Sequence, residues 1–86
     1  MIFQIIWSES AAKELKKLDK TVGKRIFKKV SELSENPYHS DVTKMVGDPY
    51  FRLRVGDYRV VFDIQNDLLR FLILEVGLRS KIYKKK

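Results

Sequence analysis

The residues of this chain best suited to chemistry are arginines. Arg52, Arg54 and Arg59 lie within "FRLRVGDYRVVF", and Arg79 lies within "VGLRSKIY", four residues before Tyr83. A guanidinium is planar, stays charged at any physiological pH and grips a phosphate through two parallel hydrogen bonds. Gly56-Asp57 reads as a two-residue hairpin turn with glycine first, one of the primed types that suit paired strands. That turn sets Val55 against Tyr58 and Arg54 against Arg59, with Arg52 on the same sheet face. Two arginines side by side repel. The face therefore either meets an anion or is neutralised by carboxylates, for which Asp57, Asp63 and Glu75 are the candidates. Tyr83 has four available roles: stacking on a base, donating a hydrogen bond to phosphate, moving a proton if positive neighbours lower its pKa, or pinning the C-terminus.

The distribution of cations sharpens the phosphate reading. Every basic residue from Arg52 to Arg79 is arginine, whereas the helical half carries seven lysines through Lys29 and only Arg25. Lysine is sufficient for solubility and long-range attraction, and arginine adds the bidentate grip. Other chemistries have less support. His39 is the only histidine and has no partner at metal-ligand or triad spacing, so it reads as a solvated loop residue. No cysteine is present, which removes disulfides, thiolate metal sites and thiol nucleophiles. No metal or cofactor is expected.

Positioning those residues requires a strand, a helical pair and a sheet. Residues 1–7 place Met1, Phe3, Ile5 and Trp7 on one side and Ile2, Gln4 and Ile6 on the other, which predicts a strand buried on much of both faces. Ser8 is an N-cap for a helix over 9–18 with Ala11, Ala12, Leu15 and Leu18 inward. Asp19 caps a second helix carrying Val22, Ile26, Phe27, Val30 and Leu33, which ends near Asn36-Pro37. Residues 36–49 hold both prolines and show little periodicity, and they read as a loop. From Tyr50 the period becomes two: Phe51, Leu53, Val55, Tyr58, Val60, Phe62, Phe71 and Ile73 form a core face. An Asn66-Asp67 turn would set Asp63 against Arg70. The expected fold is α+β, a single domain over 1–86: an N-terminal strand, a two-helix hairpin, then an antiparallel β-meander packed on the helices.

The net charge of +7, from 18 Lys and Arg against 11 Asp and Glu, favours polyanionic partners, with nucleic acid first. "MIFQIIW" is too short for a signal peptide and no stretch approaches a membrane span, so a soluble cytoplasmic protein is expected.

Laid out in this way, "SESAAKELKKL", a second helix ending in "NP", "FRLRVGDYRVVF" and "VGLRSKIY" resemble the RelE/ParE toxin superfamily along the whole chain, the RelE branch above all. The resemblance implies the toxin of a prokaryotic toxin-antitoxin pair: a metal-independent endoribonuclease that cuts mRNA in the ribosomal 30S A site and uses the ribose 2′-hydroxyl as nucleophile. It implies catalytic roles for Arg54, Arg59, Arg79 and Tyr83, and RNA contacts from Arg52, Lys81, Lys84 and Lys85. The implied partners are an antitoxin, the ribosome and mRNA, with no membrane. Many relatives have histidine where this chain has Leu78, so no conventional base is evident. Two other classes remain: a ParE-type toxin that poisons DNA gyrase, and a catalytically silent basic module that binds RNA or an antitoxin.

Overall fold

The first helix begins where its sequence says it should. The Ser8 hydroxyl accepts the Ala11 N–H at 3.0 Å and opens α1 (Glu9–Lys17), with Glu9 in the first turn where the helix dipole favours a carboxylate. Asp19 accepts the Thr21 N–H at 3.1 Å and opens α2 (Lys20–Glu32). A computed structural model describes residues 3–36, 41–44, 47 and 49–84, without the side chains of 82–84. Around the helical pair it contains β1 (Gln4–Trp7), β2 (Val42–Lys44), β3 (Phe51–Val55), β4 (Tyr58–Gln65), β5 (Arg70–Leu78) and a terminal helix α3 (Arg79–Lys84).

The strands form one mixed sheet in the order β1-β5-β4-β3-β2. β1 runs parallel to β5, with Ile5 opposite Phe71 and Trp7 opposite Ile73, and the other pairs are antiparallel. One sheet face packs on the helices: Leu53, Val55, Val60, Phe62, Phe71, Ile73 and Val76 meet Ala11, Ile26, Val30 and Leu33. Phe62 and Phe71 are fully buried at the centre with ring centroids 5.7 Å apart, flanked by Phe51 on Phe62 and Phe3 on Phe71. Among the described residues no helix is long and apolar enough to cross a membrane.

The β3–β4 hairpin has the predicted register, with Arg54 opposite Arg59 and Val55 opposite Tyr58. Gly56 takes φ +58° and no other residue of the turn has positive φ, which is the freedom a glycine-first primed turn needs.

Four expectations are corrected. β1 is an edge strand with Gln4 exposed and Ile5, Ile6 and Trp7 half-buried, because only β5 flanks it. The segment read as a loop holds β2, a short strand closing the other edge against β3. Asp63 faces Leu72 rather than Arg70, because the turn is four residues long: Asn66–Leu68 form one 3₁₀ turn and Leu69 closes it at φ 50°. Gln65 faces Arg70 and its side-chain oxygen accepts the Arg70 Nε–H. Finally, strict alternation along β5 is broken where Val61 pairs with Glu75 and Phe62 with Ile73, leaving Leu74 as the extra residue of a bulge. The bulge sends Glu75 to the face of Val61 and brings Val76 into the core. Ser8 caps this irregularity too: its hydroxyl donates to the Leu74 carbonyl at 3.2 Å.

Candidate functional site

Arg54, Arg59 and Arg79 come together at the end of the sheet where the β3–β4 turn lies. Arg54 and Arg59 are directly opposite each other on the face away from the helices. Arg59 also lies beside Gly77 of β5, and Tyr58 beside Leu78, so the residue that follows β5 arrives next to the same turn. That residue is Arg79, whose backbone N–H donates to the Asp57 carbonyl at 2.8 Å. Two segments distant in sequence, the β3–β4 hairpin and the residue that follows β5, thus converge on Gly56-Asp57.

The two facing guanidiniums are held apart by different partners. Arg59 Nη1 donates to the carbonyls of Gly56 at 2.9 Å and Tyr58 at 2.8 Å, which folds its side chain against the turn. Arg54 Nη2 donates to Asp41 Oδ1 at 2.8 Å, while Lys29 Nζ lies 2.7 Å from Asp41 Oδ2. Asp41 also accepts the Arg54 backbone N–H at 2.9 Å through its carbonyl, so it grips this residue twice. The bonded Lys29 ammonium, and then the Arg54 guanidinium, hold the Asp41 carboxyl at about 2, below its ordinary 3.8. The Arg54 side chain stays 64% exposed, so most of its donor edge faces solvent.

The other candidates are spread around this centre. Arg52 is half-buried two residues upstream, and it and Glu75 flank Val61 across the sheet. Arg79 and Lys81 are exposed at the start of α3, which packs on β5 and β4. Tyr83 and Lys84 belong to α3 by their backbone, but their side chains lie outside the described residues, as do Lys85 and His39 altogether. Arg70 is at the opposite end of β5, bonded to Gln65, away from the cluster.

Sequence reasoning missed Asp41, the carboxylate that orients Arg54. None of the three carboxylates considered, Asp57, Asp63 or Glu75, takes that place, and nothing in "HSDVTK" announces it. It also missed that α2 reaches the hairpin. Arg25, Lys28, Lys29 and Glu32 line a cleft with Val55 and Gly56, and their spacing of three, four and seven residues could have indicated a shared helix face.

Guanidiniums brought to one turn by their backbone positions, Arg54 and Arg79 exposed and Arg59 half-buried, can bind a phosphodiester and stabilise charge that grows on its oxygens.

The family described as the ParE toxin of type II toxin-antitoxin system, parDE, matches residues 5–83. The chain is 32% identical over 84 residues to an Escherichia coli RelE-like toxin protein and 30% identical over 84 residues to the E. coli mRNA interferase toxin RelE; each match covers 94% of this chain and 87% of the relative. In three dimensions it is similar to RelE in the archaeal RelE-RelB complex from Pyrococcus horikoshii, with a TM-score of 0.82, 25% identity, and coverage of 94% of this chain and 99% of that one. It is also similar to a free mutant of E. coli toxin RelE, with a TM-score of 0.77, 28% identity, and coverage of 99% and 94%.

Proposed function

Because the chain belongs to the ParE toxin family of type II toxin-antitoxin systems, within the RelE/ParE superfamily, we propose that it is a RelE-type endoribonuclease that cuts mRNA in the ribosomal A site and so stops translation. The observation that carries this reading is the convergence of Arg54, Arg59 and Arg79 at one turn, joined to 30% identity with a relative named for mRNA interference.

In the proposed reaction the ribose 2′-hydroxyl attacks the adjacent phosphorus and the bond to the 5′-oxygen breaks. The products are a 2′,3′-cyclic phosphate and a 5′-hydroxyl, and DNA, lacking the nucleophile, is inert. Negative charge grows on the nonbridging oxygens during attack. Guanidiniums already held in place stabilise that charge more than they stabilise the substrate, which is what accelerates the step. Arginine is not deprotonated in proteins, so these residues do not take the 2′-hydroxyl proton. Tyr83, Lys81 or a group of the ribosome must take it, and free RNA is accordingly a poor substrate. Arg52, Lys81, Lys84 and Lys85 contribute RNA contacts in this reading. A cognate antitoxin is the proposed partner, since similar structures include intact RelBE and RelE-RelB toxin-antitoxin complexes; the proposed location is the cytoplasm, where ribosomes work.

The test is induced expression in a bacterium followed by mapping of transcript 5′ ends, with an Arg79→Ala control. New ends inside codons of translated messages, absent with the variant, are expected. DNA-damage signalling over intact transcripts would instead assign a gyrase-poisoning toxin of the ParE type.

A further inference from the structure

The arginine cluster does not stop at the sheet. On the helix side of the same turn, Arg25, Lys28, Lys29 and Glu32 of α2 line an open cleft of about 250 Å³ whose other wall is Val55 and Gly56. Arg25 is the single arginine of the helical half, and it is the one that reaches the hairpin: a Cβ on Gly56 would sit 3.5 Å from its Nη2. Gly56 therefore lies between two guanidiniums. Its carbonyl accepts from Arg59 Nη1, and its bare Cα faces Arg25. Lys29 is engaged by Asp41, but Arg25 and Lys28 have no ion-pair partner among the described residues and are exposed. Among the described residues lining the cleft Glu32 is the one carboxylate, against Arg25, Lys28 and Lys29, so positive charge is in excess there.

Resting on the reading that the arginine cluster handles RNA, we infer that this cleft is a second seat for an RNA phosphate backbone, in which Arg25 and Lys28 hold the strand as it passes around the β3–β4 turn. Unpaired cations in a groove that shares Gly56 with the arginine-bearing turn suit a chain of evenly repeated anions. Such contacts position the strand and carry no sequence preference. An acidic protein segment is the competing occupant.

The experiment is a salt titration of binding to a single-stranded 2′-O-methyl RNA oligonucleotide, which presents phosphates but cannot be cut. Full-length wild type is compared with Arg25→Ala/Lys28→Ala and with Lys13→Ala/Lys17→Ala, a control that removes the same charge from α1. Unfolding midpoints verify that all three fold. Each phosphate contact to a single strand contributes about 0.7 to the slope of log K against log salt. The cleft variant should therefore lose about 1.4 from that slope, with the control close to wild type. A slope equal to wild type in the cleft variant, or an equal loss in the control, overturns the inference. So does a cleft variant that keeps its RNA slope but loses affinity for a polyglutamate peptide, which would give the cleft to an acidic protein. If wild type binds RNA and the cleft variant behaves the same, the cleft fails while the ribonuclease reading stands. If the slope falls but transcript ends do not change on expression, the ribonuclease reading fails and the RNA-binding cleft remains.

Discussion

At the scale of single residues, the repulsive Arg54–Arg59 pair is kept by giving each guanidinium its own anchor, turn carbonyls for Arg59 and Asp41 for Arg54. Neither anchor uses all five N–H donors of an arginine, so both groups retain hydrogen-bonding capacity for a ligand. Replacing Arg59 or Arg79 by alanine should relieve growth arrest on induced expression while leaving the unfolding transition in place. Loss of one charge-stabilising donor should slow cleavage by roughly 10²–10³-fold. If both variants remain fully toxic, the proposed chemistry is wrong. Asp41 supports a second prediction. Its carboxyl titrates at about 2 in the folded chain, against 3.8 ordinarily. A lowered folded pKa means the carboxylate stabilises the fold above the ordinary value, and that this contribution is lost as pH falls through about 2. Urea unfolding followed from pH 5 to pH 2 should show wild type losing stability more steeply than Asp41→Asn, and parallel curves would refute the assignment. The arginines were legible in the sequence because type and spacing both marked them. Asp41 was not, since its importance comes from a fold that brings α2 and β3 to the same loop.

At the scale of elements, caps and turns that depend on neighbouring residues were readable, and features that depend on distant ones were not. Ser8 and Asp19 cap as their sequence positions indicate, and Gly56-Asp57 fixes one hairpin's register. The β4–β5 connection went the other way: Leu69 accepts a left-handed conformation that its type disfavours, and the turn widens by two residues. The Leu74 bulge bonds to Ser8, 66 residues away, a contact that no local pattern could show. A comparison of caps tests this difference. Ser8→Ala loses both the helix cap and the bond to Leu74, and should cost about 1–2 kcal/mol in chemical denaturation. Asp19→Ala loses one exposed cap and should cost about 0.5–1 kcal/mol. Equal losses would mean that the bond to the bulge contributes nothing.

At the scale of the whole molecule, the core face was legible because alternation in β3 and β4 and the helical period in α2 marked nearly every buried residue. The edges were not. β2 is three residues long, and β1 takes a parallel partner that periodicity cannot name. A chain of this length is stabilised by only about 4–13 kcal/mol, so its central ring matters greatly. Phe62→Ala should cost about 3–5 kcal/mol by leaving a cavity against Phe51 and Phe71. Thermal or urea unfolding would measure this, and a loss under 1 kcal/mol would show that the core collapses around the gap. The pairing of β1 with β5 has a further consequence during synthesis. The partner of Gln4–Trp7 is Arg70–Leu78, which follows both helices and three other strands in the chain, and Arg79 comes directly after it. A nascent chain therefore cannot complete its sheet until β5 has been made. A product cut short before β5 by a stalled or broken message lacks both the strand that joins β1 to the sheet and the arginine that arrives with it, so the cluster assembles no earlier than the sheet that carries it.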